Sequence, residues 1–464
     1  MNKKNLAALL TMVAAIAGCG GGSSVGTSPP STPVITTPAP TISLTLSKPK
    51  ASLGSSSTVT WSTTNATSCT ASGAWSGTQA TSGTSAQTPT TPGSSTYTMT
   101  CTGAGGSSNQ SVALIVPIPV QKTSYLNAKN LNIPAQDIPK LLGSNGFAEY
   151  FTGGVAFGDF FQDGNISMVG FSNRNPMSTS VNNGPEQGNV YFYTKVNGVW
   201  VDKTKDLLAD TAGCISPRKV LVADFNGDGV PDVFASCHGS EFGPSAAWTG
   251  EHPRVLLSQT NGTYKNVKLD LNCYCHGASA GDVNGDGTID VVTSDGLAAS
   301  AGKSTMMLLS NDGQGNFTTK HLNVAKDADV AVVDSVSYYY SYFNVELIDF
   351  NNDGKLDLYL SGSEMYENSY ILLGDQIGSF NSILKKFDRT SNDVHVTDTV
   401  FVGGVMYVHL YVNGTKTVQV RKYAKDFSSY EVIYSYDGDD FVYLMPYGNS
   451  LVSYDSAYKI SIKQ

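Results

Sequence analysis

The segment VLVADFNGDGVPDVFASC, residues 220–237, sets the fold of most of this chain. In it, an apolar run leads into a cluster of Asp, Asn and Gly, and a second apolar run follows. Three other segments have the same form: GGVAFGDFFQDGNISMVGF at 153–171, SAGDVNGDGTIDVVTSDG at 279–296 and ELIDFNNDGKLDLYLSG at 346–362. A recurring segment of this kind indicates successive copies of one structural unit.

The first aspartates of the four segments are spaced at 65, 58 and 67 residues, and they are Asp159, Asp224, Asp282 and Asp349. This length holds four short strands with their turns, which is one blade of a β-propeller. Apolar hairpins follow the segments, and Asn197-Gly198 and Asn261-Gly262 are signals for two-residue turns. After about residue 393 the cluster is absent, although short apolar strands continue. We predict an all-β chain in which residues 123–464 form a six- or seven-bladed propeller whose last blades lack metal.

The second, third and fourth segments share the spacing D-x-N-x-D-G-x-x-D, which supplies side-chain oxygens at positions one, three, five and nine. Calcium is a hard cation that takes about six to eight oxygens, and the carbonyl of position seven adds to this set. The glycine at position six allows a sharp turn. The predicted ligands of about three structural calcium ions are Asp224, Asn226, Asp228, Val230 and Asp232; Asp282, Asn284, Asp286, Thr288 and Asp290; and Asp349, Asn351, Asp353, Lys355 and Asp357.

These loops differ from an EF-hand, which has a Glu at position twelve and flanking helices. Position twelve is Ala235, Thr293 or Leu360 here, and an apolar strand follows each loop. The first segment is altered, because Phe161 occupies its third position and Ser167 its ninth. We therefore predict no tight calcium binding in the first segment.

The loops and their flanks resemble the FG-GAP or VCBS calcium-loop repeats of integrin-like propellers, and Phe157-Gly158 matches the FG of the name. The resemblance extends over about residues 123–464 and is clearest from 155 to 375. It implies a propeller in which calcium is structural. Related propellers occur both in lectins and in carbohydrate-active enzymes.

The amino terminus has the order of an export signal. Two lysines precede an apolar run over residues 6–16, which is too short to span a bilayer, and Ile16-Ala17-Gly18-Cys19 follows. The segment resembles a bacterial lipoprotein signal, which implies removal of residues 1–18 and a membrane lipid attached at Cys19. Gly20 stands where an inner-membrane retention signal would have Asp. The resemblance implies the outer membrane of a Gram-negative bacterium and leaves open whether the chain faces the cell surface or the periplasm.

Two further segments separate the lipid site from the repeats. Residues 19–40 are mostly Gly, Ser, Thr and Pro, which predicts a flexible tether. Over residues 41–117 apolar and polar residues alternate, as in half-buried antiparallel strands. The stretches TVTWSTTNATSCTASGAWSG and STYTMTCTGAGGSSNQSVALIV resemble a small bacterial immunoglobulin-like sandwich. The resemblance implies a Cys69–Cys101 disulfide and a role as a spacer.

Four more cysteines, Cys214, Cys237, Cys273 and Cys275, lie among the repeats. An exported chain favours disulfides, and four cysteines allow three pairings. We favour Cys214–Cys237 around the second loop and a local Cys273–Cys275 bond. The repeated Cys-His-Gly at 237–239 and 275–277 leaves a zinc site as the alternative, since two thiolates and two imidazoles suit that metal.

Two motifs have both a functional and a structural interpretation. Residues 277–281 read G-x-S-x-G, the string of a nucleophile elbow, but a loop and not a helix is predicted after them. Their small residues instead favour an inner strand. An aromatic cluster before the fourth loop would stack on sugars if exposed, or fill the sheet surfaces if buried; it consists of Tyr338, Tyr339, Tyr340, Tyr342 and Phe343.

The net charge of −9 and the absence of a basic cluster exclude a general grip on nucleic acid. No convincing catalytic set is present, so we predict a binding protein and not an enzyme. The favoured function is adhesion to, or binding of, an unknown protein or glycan ligand by a calcium-stabilised propeller. A carbohydrate-active lectin or enzyme, and a periplasmic scaffold for the envelope, are the alternatives.

Overall fold

The computed structural model is all-β, with three short helices. It describes residues 37–120, 141–142, 148–149, 154–174, 186–239, 250–333, 336–362, 368–387, 394–402, 405–412, 414–437, 443–447, 450–454 and 459–463. The predicted signal, Cys19 and nearly all of the tether lie outside these residues. Within them, no helix has the length and apolar character that crossing a bilayer requires.

The amino-terminal part forms two antiparallel sheets. Its strands are β1 (Thr41–Leu46), β2 (Ser57–Thr64), β3 (Ser68–Gly73), β4 (Gly77–Gln79), β5 (Ser82–Gln87), β6 (Gly93–Gly103) and β7 (Gly106–Val116). One sheet has the order β1-β2-β5 and the other β4-β3-β6-β7. Alternate residues from both sheets, including Val59, Trp61, Met99 and Leu114, are buried in one core. The predicted alternation is therefore confirmed, and we call this two-sheet unit the sandwich.

A disulfide joins Cys69 and Cys101 in the sandwich, as the resemblance implied. The two residues are direct cross-strand partners on β3 and β6, so the bond lies within one sheet. In antibody domains the corresponding bond joins the two sheets. Trp61 packs edge-on against Trp75 with ring centroids 5.4 Å apart, which fills the space between the sheets beside the disulfide.

The rest of the described chain forms a series of small sheets. After β8 (Leu141–Leu142) and β9 (Ala148–Glu149), sheet one contains β10 (Val155–Gly158), β11 (Ser167–Arg174), β12 (Glu186–Val196) and β13 (Val199–Asp202); sheet two contains β14 (Pro217–Ala223), β15 (Asp232–Cys237), β16 (Arg254–Ser258) and β17 (Tyr264–Lys268); and sheet three contains β18 (Cys275–Gly281), β19 (Asp290–Asp295), β20 (Met306–Asn311) and β21 (Phe317–His321). Helix α1 (Thr204–Leu207) follows sheet one, and α2 (Gly296–Ser300) lies within sheet three.

Three further sheets follow a short insertion made of β22 (Asn323–Val324), α3 (Lys326–Asp329), β23 (Val330–Val333) and β24 (Val336–Tyr339). Sheet four contains β25 (Asn344–Ile348), β26 (Asp357–Ser361), β27 (Ser369–Leu373) and, after β28 (Ser379–Phe380), β29 (Ser382–Phe387); sheet five contains β30 (Val394–Val402), β31 (Val405–Val412), β32 (Thr417–Tyr423) and β33 (Tyr430–Asp437); and sheet six contains β34 (Tyr443–Tyr447), β35 (Ser450–Tyr454) and β36 (Lys459–Lys463). Strand β28 pairs in parallel with β22.

The six sheets are joined through their first strands, because β10 contacts β14, β14 contacts β18, β18 contacts β25, β25 contacts β30 and β30 contacts β34. Successive antiparallel sheets that meet along their first strands are consistent with the blades of a β-propeller. The apolar cores lie between neighbouring sheets. Phe171 and Phe192 of sheet one, for example, pack with Val233 and Leu256 of sheet two. Burial of each such side chain contributes about 1.5–3 kcal/mol, so the sheets stabilise one another.

The two turn predictions had different outcomes. Strands β12 and β13 pair up to Val196 and Val199, so Asn197-Gly198 forms the predicted two-residue turn, with both φ angles positive. The Asn261-Gly262 prediction was wrong in length. There the amide of Gln259 donates to the carbonyl of Thr263, which leaves three residues in the connection.

Candidate calcium loops and the opposite ends of their strands

All four repeated segments form loops between the first and second strands of a sheet. We call residues 159–167, 224–232, 282–290 and 349–357 loops one to four. In each, the first strand ends at the residue before the leading Asp, and an apolar second strand begins at position nine. Because the sheets are arranged side by side through their first strands, the four loops lie at equivalent ends of neighbouring sheets.

The leading aspartate organises each loop by accepting hydrogen bonds from its backbone. In loop two, one carboxylate oxygen of Asp224 accepts from the amide of Gly229 at 2.8 Å. The equivalent bonds join Gly287 to Asp282 at 3.0 Å, Gly354 to Asp349 at 2.9 Å, and Gly164 to Asp159 at 2.9 Å. The four glycines have φ between +80° and +86°, a region where a side chain is unfavourable. The position-six glycine is therefore required for this turn.

Positions three and five complete the turn in loops two to four. In loop two, Asn226 Oδ1 accepts from the amide of Asp228, and Asp228 Oδ1 accepts from the amide of Val230. Loops three and four repeat both bonds. The aspartate at position five is exposed in all three loops, whereas the leading aspartate is half-buried. The loops thus present carboxylate oxygens toward solvent, above the buried aspartate of position nine.

The aspartate at position nine lies beneath the rest of each loop. Asp232, Asp290 and Asp357 are all fully buried. In loop two, Asp232 accepts from the amide of Phe225 at 2.8 Å and, through its other oxygen, from the amide of Ser258 at 2.6 Å. In loop four, Asp357 accepts likewise from Phe350 and Gly374. Position nine therefore ties the loop to the end of the third strand of its sheet.

The buried aspartates carry unfavourable charge when no cation is near. Burial raises the pKa of Asp232 to about 7, against the hydrogen bonds it accepts, and the Asp228 carboxylate raises it further. Burial likewise raises the pKa of Asp290 to about 6, and Asp286 and Asp282 add to the shift. In loop four the pKa of Asp357 is also raised, by burial first and by Asp353 and Asp349 second. A bound cation would relieve the repulsion in each loop.

The donor chemistry of loops two to four fits calcium, since every predicted ligand is a carboxylate, amide or carbonyl oxygen. Within the described residues, however, no three His, Cys, Asp or Glu side chains converge closely enough to hold an ion by themselves. The position-nine carboxylates of loops two and four accept hydrogen bonds from backbone amides. A carboxylate has about four acceptor directions, so the two or three amides bound by Asp232 or Asp357 leave room for a cation.

Loop one keeps the frame and lacks two of the predicted oxygens. Ser167 Oγ accepts from the amide of Phe160 at 3.0 Å, which is the bond that position nine makes in loops two and four. The same hydroxyl donates to the carbonyl of Gly158 at 2.7 Å. A neutral hydroxyl thus performs the structural role of the buried carboxylate, without its charge. Phe161 is partly buried and packs against the apolar core of sheets one and two.

Disulfides join Cys214 to Cys237 and Cys273 to Cys275, as we favoured. Because all four sulfurs are bonded to sulfur, no thiolate is available and the alternative zinc site is wrong. Instead, the two histidines of the Cys-His-Gly repeats meet one another. The rings of His238 and His276 are edge to face with centroids 4.3 Å apart, and His276 stacks on Phe343 at 4.2 Å.

The histidine pair lies at the opposite strand ends from the calcium loops, because His276 is near the start of β18 and loop three follows its end. Burial lowers the pKa of His238 to about 2, and the nearby Arg218 cation lowers it further. The pKa of His276 is also lowered, first by burial and then by His238 and Arg218. Both rings are therefore neutral at neutral pH.

The first strands also carry a cluster of charges that the sequence patterns did not reveal. Lys219 Nζ on β14 lies 2.9 Å from a Glu346 carboxylate oxygen on β25 and 3.8 Å from an Asp398 oxygen on β30. Burial raises the pKa of Glu346, Lys219 opposes that rise, and Asp398 adds to it. The sequence signal is a charged residue within the otherwise largely apolar strands β14, β25 and β30. The ion pairs connect sheets two, four and five.

The remaining two motifs are structural. Residues 277–281 lie within β18, and Ser279 is fully buried, where its Oγ accepts from the amide of Leu347 at 3.0 Å. The string therefore forms the predicted inner strand and not an elbow. Of the aromatic cluster, Tyr340 and Tyr342 are buried in the core beneath sheets three and four. Those two tyrosines fill the sheet surfaces and are not exposed to a sugar.

No family model matches this chain, and no curated protein matches it. Among solved structures it is similar to a quinonprotein alcohol dehydrogenase-like protein from Bacteroides thetaiotaomicron, at 13% identity over 84% of this chain and 93% of that one, with a TM-score of 0.26. A protein of unknown function from the same organism matches at 10% identity over 89% and 94%, with a TM-score of 0.37. The GH43 β-xylosidase/α-arabinofuranosidase CoXyl43 from a compost metagenome matches at 10% identity over 66% and 86%, with a TM-score of 0.27. Similarities this slight assign no function to this chain.

Proposed function

We propose that this chain is a lipid-anchored envelope protein whose calcium-stabilised β-propeller binds a protein or glycan ligand. In this proposal the chain is an FG-GAP/VCBS repeat protein, and residues 123–464 form the six- or seven-bladed binding head. The immunoglobulin-like sandwich, residues 41–117, is its stalk. The chain acts by binding and not by catalysis. Cys19 carries the lipid that holds it to the outer membrane of a Gram-negative bacterium.

The observation that carries the proposal is the repeated hydrogen-bond frame of loops two to four. Three loops with the same spacing present a half-buried and an exposed carboxylate above a buried one, at equivalent ends of adjacent sheets. Carboxylates in this arrangement repel one another unless a cation is present. We propose one calcium ion in each loop, held by the oxygens of positions one, three, five and nine and by the carbonyl of Val230, Thr288 or Lys355.

In this proposal the calcium stabilises the head and does not contact the ligand. Each ion would join the end of the first strand to the start of the second, and position nine extends that connection to the third strand. The opposite strand ends, where the disulfides and the histidine pair lie, remain available to support a binding surface. The buried position of Ser279 in a strand favours binding over hydrolysis at this string.

An adhesion assay tests the binding function. Beads coated with the mature chain would be applied to glycan arrays and to protein-coated surfaces, in calcium and in EDTA. We expect retention on at least one surface in calcium and a loss of about tenfold or more in EDTA, because the head loses order. The matched variant carries Asp224→Asn, Asp282→Asn and Asp349→Asn. In calcium, its beads should be retained as weakly as wild-type beads are in EDTA.

Retention that is unaffected by EDTA and by the triple variant would refute a calcium-stabilised head. Release of a modified sugar or peptide from any surface would refute the binding role and favour an enzyme. The anchor is tested separately by palmitate labelling of cells, where Cys19→Ala should abolish the label. Labelling that survives this substitution would exclude Cys19 as the lipid site.

A further inference from the structure

Loop one contacts the sandwich. The amide of Ile118 donates to an oxygen of Asp159 at 3.0 Å. Ile118 lies two residues beyond the end of β7, the last strand of the sandwich. Asp159 is only 2% exposed and also accepts from the amides of Asp163 and Gly164. The chain that leaves the sandwich therefore completes the hydrogen bonding of this buried carboxylate.

A second contact joins the same loop to the body of the sandwich. A Cβ atom added to Gly164 would lie 2.5 Å from the Cα of Gly93, at the start of β6. Real Cβ atoms do not approach backbone this closely, so the two glycines are packed backbone to backbone. The equivalent Gly229 and Gly354 have nothing within 4 Å of such an atom. Loop one therefore makes a contact at this position that loops two and four do not make.

The segment that reaches loop one is suited to docking. Ile118 stands between Pro117 and Pro119, so its amide is the single backbone donor of these three residues. Proline fixes φ and favours an extended conformation for the residue before it. The segment therefore loses little conformational freedom when its one donor is directed at Asp159.

We propose that loop one is a docking site for the sandwich, in which the Ile118 amide takes the place of a calcium ion beside Asp159 and the Gly93 backbone packs against Gly164. Loop one has two carboxylates where the other loops have three, because Ser167 replaces the buried Asp. Its leading carboxylate accepts from an amide outside the loop, whereas the leading carboxylates of loops two to four accept from amides of their own loops. The sandwich and sheet one then move as one body, which fixes the direction in which the stalk presents the propeller.

The test is a distance measurement on the mature chain. Spin labels on genetically encoded ketone residues at Asn109, in the sandwich, and Lys265, in sheet two, leave the cysteines untouched. The wild-type chain should give one narrow distance distribution by pulsed electron resonance. Ile118→Pro, which removes the amide donor, should make the distribution roughly twofold wider or more. Ile118→Val keeps the donor and should match the wild type.

The glycines supply a second, independent pair of variants. Gly164→Ala introduces both backbone strain and the clash with Gly93, whereas Gly229→Ala introduces the same strain without a contact. We expect a broadened distribution in the first variant and a narrow one in the second. Circular dichroism confirms that each variant is folded. Distributions that are broad in the wild type, or equally narrow in Ile118→Pro and Gly164→Ala, would overturn the docking site.

Discussion

Loop one and loops two to four share one backbone frame and differ in what the frame surrounds. In each, an aspartate at position one accepts from the glycine amide at position six. Loops two to four each contain three carboxylates. Loop one contains two, together with a neutral serine at position nine and an amide from the sandwich linker. The comparison separates two properties that a calcium motif usually combines, namely the shape of the turn and the charge within it.

The shape depends on few residues. In loop one it is preserved by Asp159, Asp163 and Gly164, and Ser167 replaces the backbone bond of the lost carboxylate. The charge depends on position nine, where loops two to four have a buried aspartate and loop one has a serine. Loop one also differs at position three, where Phe161 stands in place of an asparagine.

Calcium removal should have the largest effect and should act on loops two to four only. Binding stabilises a folded site by about 2.7 kcal/mol when calcium is at about 100 times its Kd, so three sites contribute about 8 kcal/mol. We expect EDTA to lower the Tm of the propeller by at least about 10 °C in differential scanning calorimetry. Calcium should restore it, and zinc should not.

The sandwich is an internal control for calcium removal, since it contains none of the loops. Its unfolding, followed through the environment of Trp61 and Trp75, should not shift by more than about 1 °C. If EDTA left the propeller transition unchanged, loops two to four would be shown to be solvated turns.

Of two aspartate variants at equivalent positions, one should depend on calcium and the other should not. Asp282→Ala removes an acceptor of exposed amides and one proposed ion, so it should cost about 4 kcal/mol in calcium and about 1–2 kcal/mol in EDTA. Asp159→Ala leaves three amides without their acceptor, one of them from the sandwich linker. It should cost about 3 kcal/mol in both conditions.

Chemical denaturation in calcium and in EDTA measures this difference. The interaction between variant and calcium should be about 2–3 kcal/mol for Asp282→Ala and near zero for Asp159→Ala. Equal calcium dependence of the two variants would remove the distinction between loop one and the others.

Acid should produce a smaller loss of stability, which arises at the histidine pair, at the strand ends opposite the calcium loops. The folded pKa of His238 lies far below its ordinary value, so the unfolded chain binds the proton that the folded chain excludes. Stability due to this residue is present above about pH 6.5 and is lost as the pH falls below it. Between pH 7 and pH 5.5 the loss should be about 1 kcal/mol for His238, with a loss of the same sign from His276.

The acid effect is isolated by comparing the wild type with a His238→Phe and His276→Phe variant in denaturant titrations at both pH values. The variant should lose less stability than the wild type, with any remaining slope attributable to groups such as the buried His409. An equal loss in both proteins would place the acid sensitivity outside the histidine pair.

Local patterns predicted much of this structure. The D-x-N-x-D-G-x-x-D spacing located three loops between first and second strands, because turn chemistry is set by residues a few positions apart. Alternation located the strands of the sandwich, and the small residues 277–281 located an inner strand. The favoured Cys214–Cys237 and Cys273–Cys275 pairs also formed, since Cys237 pairs across from Pro217, three residues after Cys214, and Cys273 and Cys275 are two residues apart.

The features that escaped prediction depend on contacts across long stretches of chain. Lys219 and Glu346 are 127 residues apart, and nothing in either strand indicates its partner. Ile118 and Asp159 are 41 residues apart and belong to different units. The contact of His238 with His276 likewise requires the packing of two sheets. Sequence periodicity specifies which face of a strand is buried, but not which strand lies opposite.

The most direct test of the account is the number of calcium ions bound by the mature chain. Isothermal titration of calcium into the EDTA-stripped and dialysed protein should give three ions per chain, and loss of one with each of Asp224→Ala, Asp282→Ala and Asp349→Ala. Asp159→Ala should leave the number at three. A count of four that falls to three in Asp159→Ala would contradict the docking role of loop one, and a count of zero would contradict calcium binding altogether.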